Sequence, residues 1–169
     1  DKTNNKILND KFDYVVVSTG HFSVPFIPEY KGMSSFPGRI MHSHDFRDAE
    51  EFRGKNVVVL GSSYSAEDVA LQCNKYGAKS VTIGFRHNPM GFKWPKGMKE
   101  VFYLDRLEGN KAIFKDGTEQ EADVIILCTG YLHHFPFLEE NLVLKTHNRL
   151  YPPKLLSLIH ISEPTRPVP

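Results

Sequence analysis

The chain has 169 residues, 40% of them hydrophobic and 12% aromatic, which is enough apolar material for a buried core and excludes a disordered chain. Lys plus Arg number 21 against 20 for Asp plus Glu, a net charge of +1, and this balance argues against a nucleic-acid-binding or anionic-membrane surface. No apolar run approaches the roughly 20 residues of a membrane span, and the two cysteines, Cys73 and Cys128, suit neither a disulfide framework nor a metal site and fit a reducing cytoplasm.

The length allows one domain, or one large and one partial domain. In chain order, "DYVVVSTGH", starting at Asp13, reads as a strand that stops at a Gly turn. A similar stretch, "DVIILCTGY", starts at Asp123. Each follows a polar, turn-containing segment, so both are expected to be a β-hairpin feeding a buried strand. Chance likeness between two buried strands is the alternative, but the match includes polar positions. Residues 22–38 are rich in Pro, Gly and aromatics and read as an ordered loop. Val57–Leu60 is a short, wholly apolar strand, the pattern of a parallel sheet covered on both faces. A helix is expected over Ser65–Tyr76, with Ala66, Val69, Ala70 and Cys73 on one buried stripe, Glu67 and Asp68 in its first turn and Gly77 just past its end. "SVTIGF", 80–85, is the next strand, completing a βαβ unit. Residues 86–100 form a second aromatic loop, in which Met90–Pro95 either lines a substrate mouth or caps the core.

Between the first strand and the helix stands Gly61-Ser62-Ser63-Tyr64-Ser65-Ala66, a variant of the G-x-G-x-x-G/A turn that holds a dinucleotide pyrophosphate at a helix N-terminus. Ser63 replaces the second glycine, and Ala66 still permits close helix–strand packing. A plain strand–helix turn is the other reading; the position after a strand and before an amphipathic helix favours phosphate. NAD sites usually carry an acidic residue at the end of the second strand. This chain has Arg86-His87 there, which favours NADP over NAD, since a guanidinium can grip a 2′-phosphate bidentately.

"FPGRIMHSHDFR" carries Phe36, Gly38, His42, Phe46 and Arg47 in the spacing F-x-G-x-x-x-H-x-x-x-F-R. This resembles the fingerprint of the flavin-containing monooxygenases, and "STGH", the nucleotide turn and "CTGY" occur in that family's order. "GSSYSAED" and "PMGFKWP" are similar to its bacterial, trimethylamine-oxidising members. The resemblance covers about residues 1–154. It implies an α/β fold with a Rossmann-like NADP-binding domain nested in an FAD-binding domain, with FAD and NADPH as cofactors. The family's N-terminal FAD fingerprint is missing, and the chain opens on Asp1 rather than Met, so it is expected to be an internal fragment. The expected divisions are residues 1–27 as a remnant of the FAD domain, 28–135 as the NADP domain, and 136–155 as the return segment.

By match to the family, Gly61 opens the turn, Ser62, Ser63 and Ser65 contact the pyrophosphate, Arg86 and His87 the 2′-phosphate, and Tyr64 projects toward the cofactor junction. Tyr30 and Asn148 are weaker candidates, with plain loop residues as the other reading. The implied activity is N-oxygenation of small tertiary amines such as trimethylamine, with O2 as co-substrate. Sulfide oxygenation, N-hydroxylation, or an NADP-binding module without turnover are the alternatives. The flavin carries the chemistry, so no catalytic side chain is expected, and no Ser-His-Asp or Cys-His arrangement suggests one. Related Baeyer–Villiger enzymes have Trp where this chain has Phe46, which favours oxygenation of heteroatoms over ketones. A homodimer is the oligomer compatible with the resemblance. His42 is expected to pack or hinge; His42-x-His44-Asp45 has ligand spacing but no further ligand set, so no metal is expected, and His133-His134 reads as a solvated turn. Finally, "LSLIHISEPTR", Leu156–Arg166, resembles, codon for codon, the translation of a transposase adaptor used in sequencing libraries. Residues 156–169 are therefore expected to be foreign to the fold.

Overall fold

The computed structural model describes residues 3, 7 and 9–138. Ten strands and one α-helix form among them. β1 is Val24–Pro25 and β2 Arg39–His42. β3 (Asn56–Leu60), α1 (Tyr64–Lys75) and β4 (Ser80–Phe85) make the βαβ unit. β5 (Met98–Phe102), β6 (Leu104–Glu108), β7 (Lys111–Phe114), β8 (Glu119–Glu121), β9 (Val124–Leu127) and β10 (Tyr131–Leu132) follow.

The centre is a five-stranded, wholly parallel sheet in the order β2-β9-β3-β4-β5. Its three central strands, β9, β3 and β4, are buried along most of their length because both faces are covered there. Val57, Val59, Val81, Ile83, Val124 and Ile126 point to one face, where Ala66, Val69, Ala70 and Cys73 of α1 meet them with Phe52. Val58, Leu60, Ile125 and Leu127 point to the other, against Leu104, Leu107, Ala112 and Phe114 of the antiparallel β6-β7-β8 sheet. The expected α1 stripe is thus the buried one. The helix starts one residue earlier than expected and ends one earlier, where Gly77 at φ 90° lets the Ala78 amide bond back to the Cys73 carbonyl at 3.0 Å.

A polar staple fixes the N-terminal ends of three neighbouring strands. Oδ2 of Asp123 accepts from the Asn56 amide at 2.7 Å and from Asn56 Nδ2 at 3.1 Å, and Ser80 Oγ donates to Asn56 Oδ1 at 2.9 Å. This gives the Asp of the second repeat a structural task.

The first repeat behaves differently from its expectation. Residues 13–18 form no strand, and Tyr14, Val15 and Val16 are exposed. A lone extended segment gains nothing by itself, since a strand is stable only with a hydrogen-bonded neighbour and a covered face. Among the described residues no strand pairs with it. The second repeat is the buried strand β9, but a three-stranded meander rather than a hairpin precedes it. The loop expected over 86–100 gives way to β5 at Met98. Its first part crosses from β4 to β5 without a helix, and Met90 and Trp94 pack on the same side of the sheet as α1, so this stretch caps the core. The Glu100 carboxylate holds it by accepting from the Met90 amide at 2.7 Å and the Gly91 amide at 3.2 Å.

β1 and β10 form a short antiparallel ribbon, with Val24 opposite Leu132 and Pro25 opposite Tyr131. It sets the ends of the two Thr-Gly segments side by side. His133 is half-buried and stacks on His21, centroids 5.6 Å apart, so it is not the solvated turn residue expected, although His134 is exposed. No helix among the described residues is long and apolar enough to cross a membrane.

Candidate functional site

The chain order of the parallel strands reverses at β3. From β3 the chain crosses through α1 to β4 on one side, while β9 lies on the other. Ligands of open α/β sheets bind at such a switch point, outside the carboxyl ends of the strands. Gly61 stands there. Its amide donates to the Gly84 carbonyl at 2.9 Å, and the Cys128 amide donates to the Leu60 carbonyl at 2.8 Å, so the ladders run right up to the turn. Gly61 has φ 146°, and a Cβ on it would lie 2.4 Å from the Cys128 carbonyl oxygen. Only glycine lets β9 approach this closely.

Ser63 is the N-cap of α1, extended at φ −132° and ψ −178°, and its carbonyl accepts from the Ala66 and Glu67 amides at 2.8 and 3.1 Å. Its hydroxyl does not cap the helix. The first amides of a helix have no intrahelical acceptor and carry the positive end of its dipole. Ser63, Tyr64 and Ser65 are exposed and Ser62 is half-exposed, so this terminus and three hydroxyls are open to an anion. Tyr64 is 79% exposed, projecting away from the protein.

Arg86 and His87 follow β4 directly, and both are exposed. Arg86 Nε donates to His87 Nε2 at 3.1 Å. Among the described residues no carboxylate pairs with Arg86, so its charge is uncompensated. Tyr30 is half-buried beside Tyr103, ring centroids 6.0 Å apart. Burial first, then the neighbouring Tyr103 phenol, pushes the Tyr30 hydroxyl well above the ordinary tyrosine range, while the Arg86 charge works the other way. The hydrogen bond from the Tyr103 amide to the Phe85 carbonyl puts the Tyr30–Tyr103 pair at the end of β4 that Arg86 follows. The sequence reading missed Tyr103, which reaches this place because its amide bonds the Phe85 carbonyl at 2.8 Å. Asn148 lies outside the described residues.

The family model for flavin-binding monooxygenase-like proteins matches residues 1–90 and 98–167. The chain belongs to this family. A trimethylamine monooxygenase of Pelagibacter sp. strain HTCC7211 is 88% identical over 155 residues, covering 92% of this chain and 35% of the relative. The solved structure of Tmm from that strain superposes with a TM-score of 0.81 over 91% of this chain and 35% of the other. S-allyl-L-cysteine S-oxygenase from Allium sativum is 35% identical over 72% of this chain and 29% of that one, with a TM-score of 0.64. The chain thus spans about a third of the length of the trimethylamine monooxygenase it matches.

Within this flavin-binding monooxygenase-like chain, each fingerprint residue has a packing or hydrogen-bonding task. Phe36 is buried on the β6-β7-β8 side. A Cβ on Gly38 would lie 2.4 Å from the Asp123 carbonyl oxygen. His42 is 2% exposed; its Nδ1 accepts from the His44 amide at 3.0 Å, and its Nε2 lies 2.9 Å from the Gly130 carbonyl. An acceptor Nδ1 assigns the proton to Nε2, which donates to Gly130. Burial, the largest influence, lowers the His42 pKa, so the ring is neutral. Both nitrogens are engaged, which leaves His42 no free lone pair for a metal. Phe46 stacks on Phe52 at 6.1 Å, and Arg47 Nη1 donates to the carbonyls of His44 and Phe46 at 2.8 and 3.0 Å. The fingerprint thereby ties β2 to the "CTGY" end of β9.

Proposed function

We propose that this chain is the NADPH-binding segment of a flavin-dependent monooxygenase that N-oxygenates small tertiary amines, trimethylamine foremost. The carrying observation is the Gly61 turn at the switch point, with an uncompensated Arg86 at the end of the next strand. The residues fit the cofactor. Gly61 leaves room where a side chain would strike Cys128, and the α1 terminus with Ser62, Ser63 and Ser65 takes the pyrophosphate. Arg86 and His87 would take the 2′-phosphate, and the exposed Tyr64 would project toward the cofactor junction. When bound, NADPH supplies the electrons and the flavin the oxygen activation. This chain's residues bind and orient the nicotinamide cofactor and contribute no side chain to bond making.

Among the described residues there is one strand–turn–helix of this kind, hence one pyrophosphate site. The flavin's own site would be completed by the part of the relatives that this chain does not span. The β1–β10 ribbon supports a nested arrangement, because it puts exit and re-entry of residues 28–135 next to each other. The 88% identity to an amine oxygenase, against 35% to a sulfur oxygenase, favours nitrogen over sulfur as the atom oxygenated.

Calorimetric titration of the 169-residue chain with NADP+ and NAD+ tests the binding claim. NADP+ should bind at least tenfold more tightly, and equal affinities would refute the 2′-phosphate assignment.

A further inference from the structure

The crossover from β4 to β5 carries no helix, so no intrahelical hydrogen bonds fix residues 86–97, and amides of this stretch that face the protein need other acceptors. Glu100 supplies two of them. In the parallel β4–β5 pair it stands opposite Ile83, and Phe102 stands opposite Phe85 at the end of β4. Side chains alternate along a strand, and Met98 packs in the cluster on the α1 side, so Glu100 points to that side as well. There its Oε1 accepts from the Met90 amide at 2.7 Å and its Oε2 from the Gly91 amide at 3.2 Å. Both oxygens of one half-buried carboxylate are engaged by consecutive amides of the crossover.

This contact closes a short span. Phe85 is fixed in β4, and Met90 is fixed by Glu100 and by its packing on the core. Only Arg86, His87, Asn88 and Pro89 lie between them. Pro89 has a fixed φ and restricts Asn88 before it, which narrows the paths open to the span. Within it Arg86 Nε donates to His87 Nε2 at 3.1 Å, so the two residues assigned to the 2′-phosphate are joined to each other. A loop held in its binding shape loses less freedom when the ligand arrives, and that gain appears as affinity.

We infer that Glu100 is a positioning residue for the cofactor's 2′-phosphate: by holding the Met90 and Gly91 amides it presets the Arg86–His87 turn, and selection of NADP over NAD depends on it. This rests on the nucleotide reading above. Charge alone would act in the opposite direction, because a carboxylate near an anion site repels the anion and its removal would tighten binding. The sign of the effect therefore separates positioning from charge. The sequence alone conceals the role, because Glu100 reaches back across the crossover to amides ten and nine residues before it.

The test uses the 169-residue chain and two probes, adenosine 2′,5′-bisphosphate and 5′-AMP, titrated by calorimetry. Glu100→Ala should weaken the bisphosphate about tenfold and leave 5′-AMP within about twofold, the scale of one charge-assisted contact. Glu100→Gln keeps the size but only one acceptor, and its loss should fall between that of Glu100→Ala and none. Hydrogen exchange of the Met90 and Gly91 amides, followed by NMR, should quicken at least about tenfold in Glu100→Ala. In an Arg86→Met background Glu100→Gln should change bisphosphate affinity by less than about twofold, since Glu100 acts through the turn that carries Arg86. Unchanged or tighter bisphosphate binding in both Glu100 variants, equal losses for both probes, amides that exchange as before, or full additivity with Arg86→Met would each overturn the inference. If Arg86→Met alone still weakens the bisphosphate in that event, the nucleotide reading survives. If the unmodified chain binds both probes equally, the 2′-phosphate reading fails and this inference with it.

Discussion

Replacing Gly61 with alanine attacks the point on which the turn depends. The added Cβ would meet the Cys128 carbonyl oxygen at 2.4 Å and the Cys128 Cβ at 3.0 Å, where real Cβ contacts stay above 3.0 Å. The obstacle is backbone in a neighbouring strand and cannot swing aside. Its φ of 146° adds strain that an L-residue bears at about 1–3 kcal/mol. Overpacking adds about 1–3 kcal/mol, for a total near 2–6 kcal/mol. Gly54 is the matched control: its φ is 72°, but nothing lies within 4 Å of its would-be Cβ, so Gly54→Ala should cost only about 1 kcal/mol. Urea unfolding separates the two. With a slope of about 2 kcal/mol per molar, Gly61→Ala should lower the midpoint by roughly 1–3 M and Gly54→Ala by about 0.5 M. A Gly61→Ala midpoint no lower than that of Gly54→Ala would refute the close approach.

Arg86→Asp should weaken NADP+ binding by roughly 2–4 kcal/mol and leave NAD+ nearly unchanged, because it removes a phosphate contact and adds repulsion; equal losses in parallel titrations would count against the assignment. His42 is buried and neutral with a lowered pKa, so the unfolded chain takes up its proton first. Its contribution is therefore complete above the ordinary imidazole value of about 6.5 and is lost as pH falls below it. Urea midpoints should drop between pH 7 and pH 5, and His42→Gln should flatten that drop; an unchanged profile would contradict it. Deleting residues 156–169 should shift stability by no more than about 0.5 kcal/mol, and a larger fall in Tm would show that the tail belongs to the fold.

The three central strands of the parallel sheet, β3, β4 and β9, were readable because they are almost wholly apolar, and α1 because it carries one clean stripe. The same reasoning failed at Asp13–Ser18. Apolar composition says that a segment can be a strand, but not that a partner is at hand, and Tyr14, Val15 and Val16 are exposed here. It also missed β5 and β6, which follow directly on the Pro- and Gly-rich stretch read as loop through residue 100. At the site, the glycine turn and Arg86 announce themselves because local spacing encodes them. The role of the Cys128 carbonyl, and the neighbourhood of Tyr30 and Tyr103, come from strand order, which no local window contains. The fingerprint was recognisable as a pattern, while its physical meaning, a close approach at Gly38 and a doubly bonded His42, needed coordinates.

The most direct test returns residues 1–155 of this chain to a complete frame, in place of the matching segment of the Pelagibacter trimethylamine monooxygenase to which it is 88% identical. Trimethylamine N-oxide formation and nicotinamide consumption are then measured together with NADPH and with NADH. The account predicts N-oxide formed in step with NADPH oxidation and far less with NADH. A hybrid that holds flavin yet oxidises no NADPH, or that uses both nicotinamides equally, would contradict it.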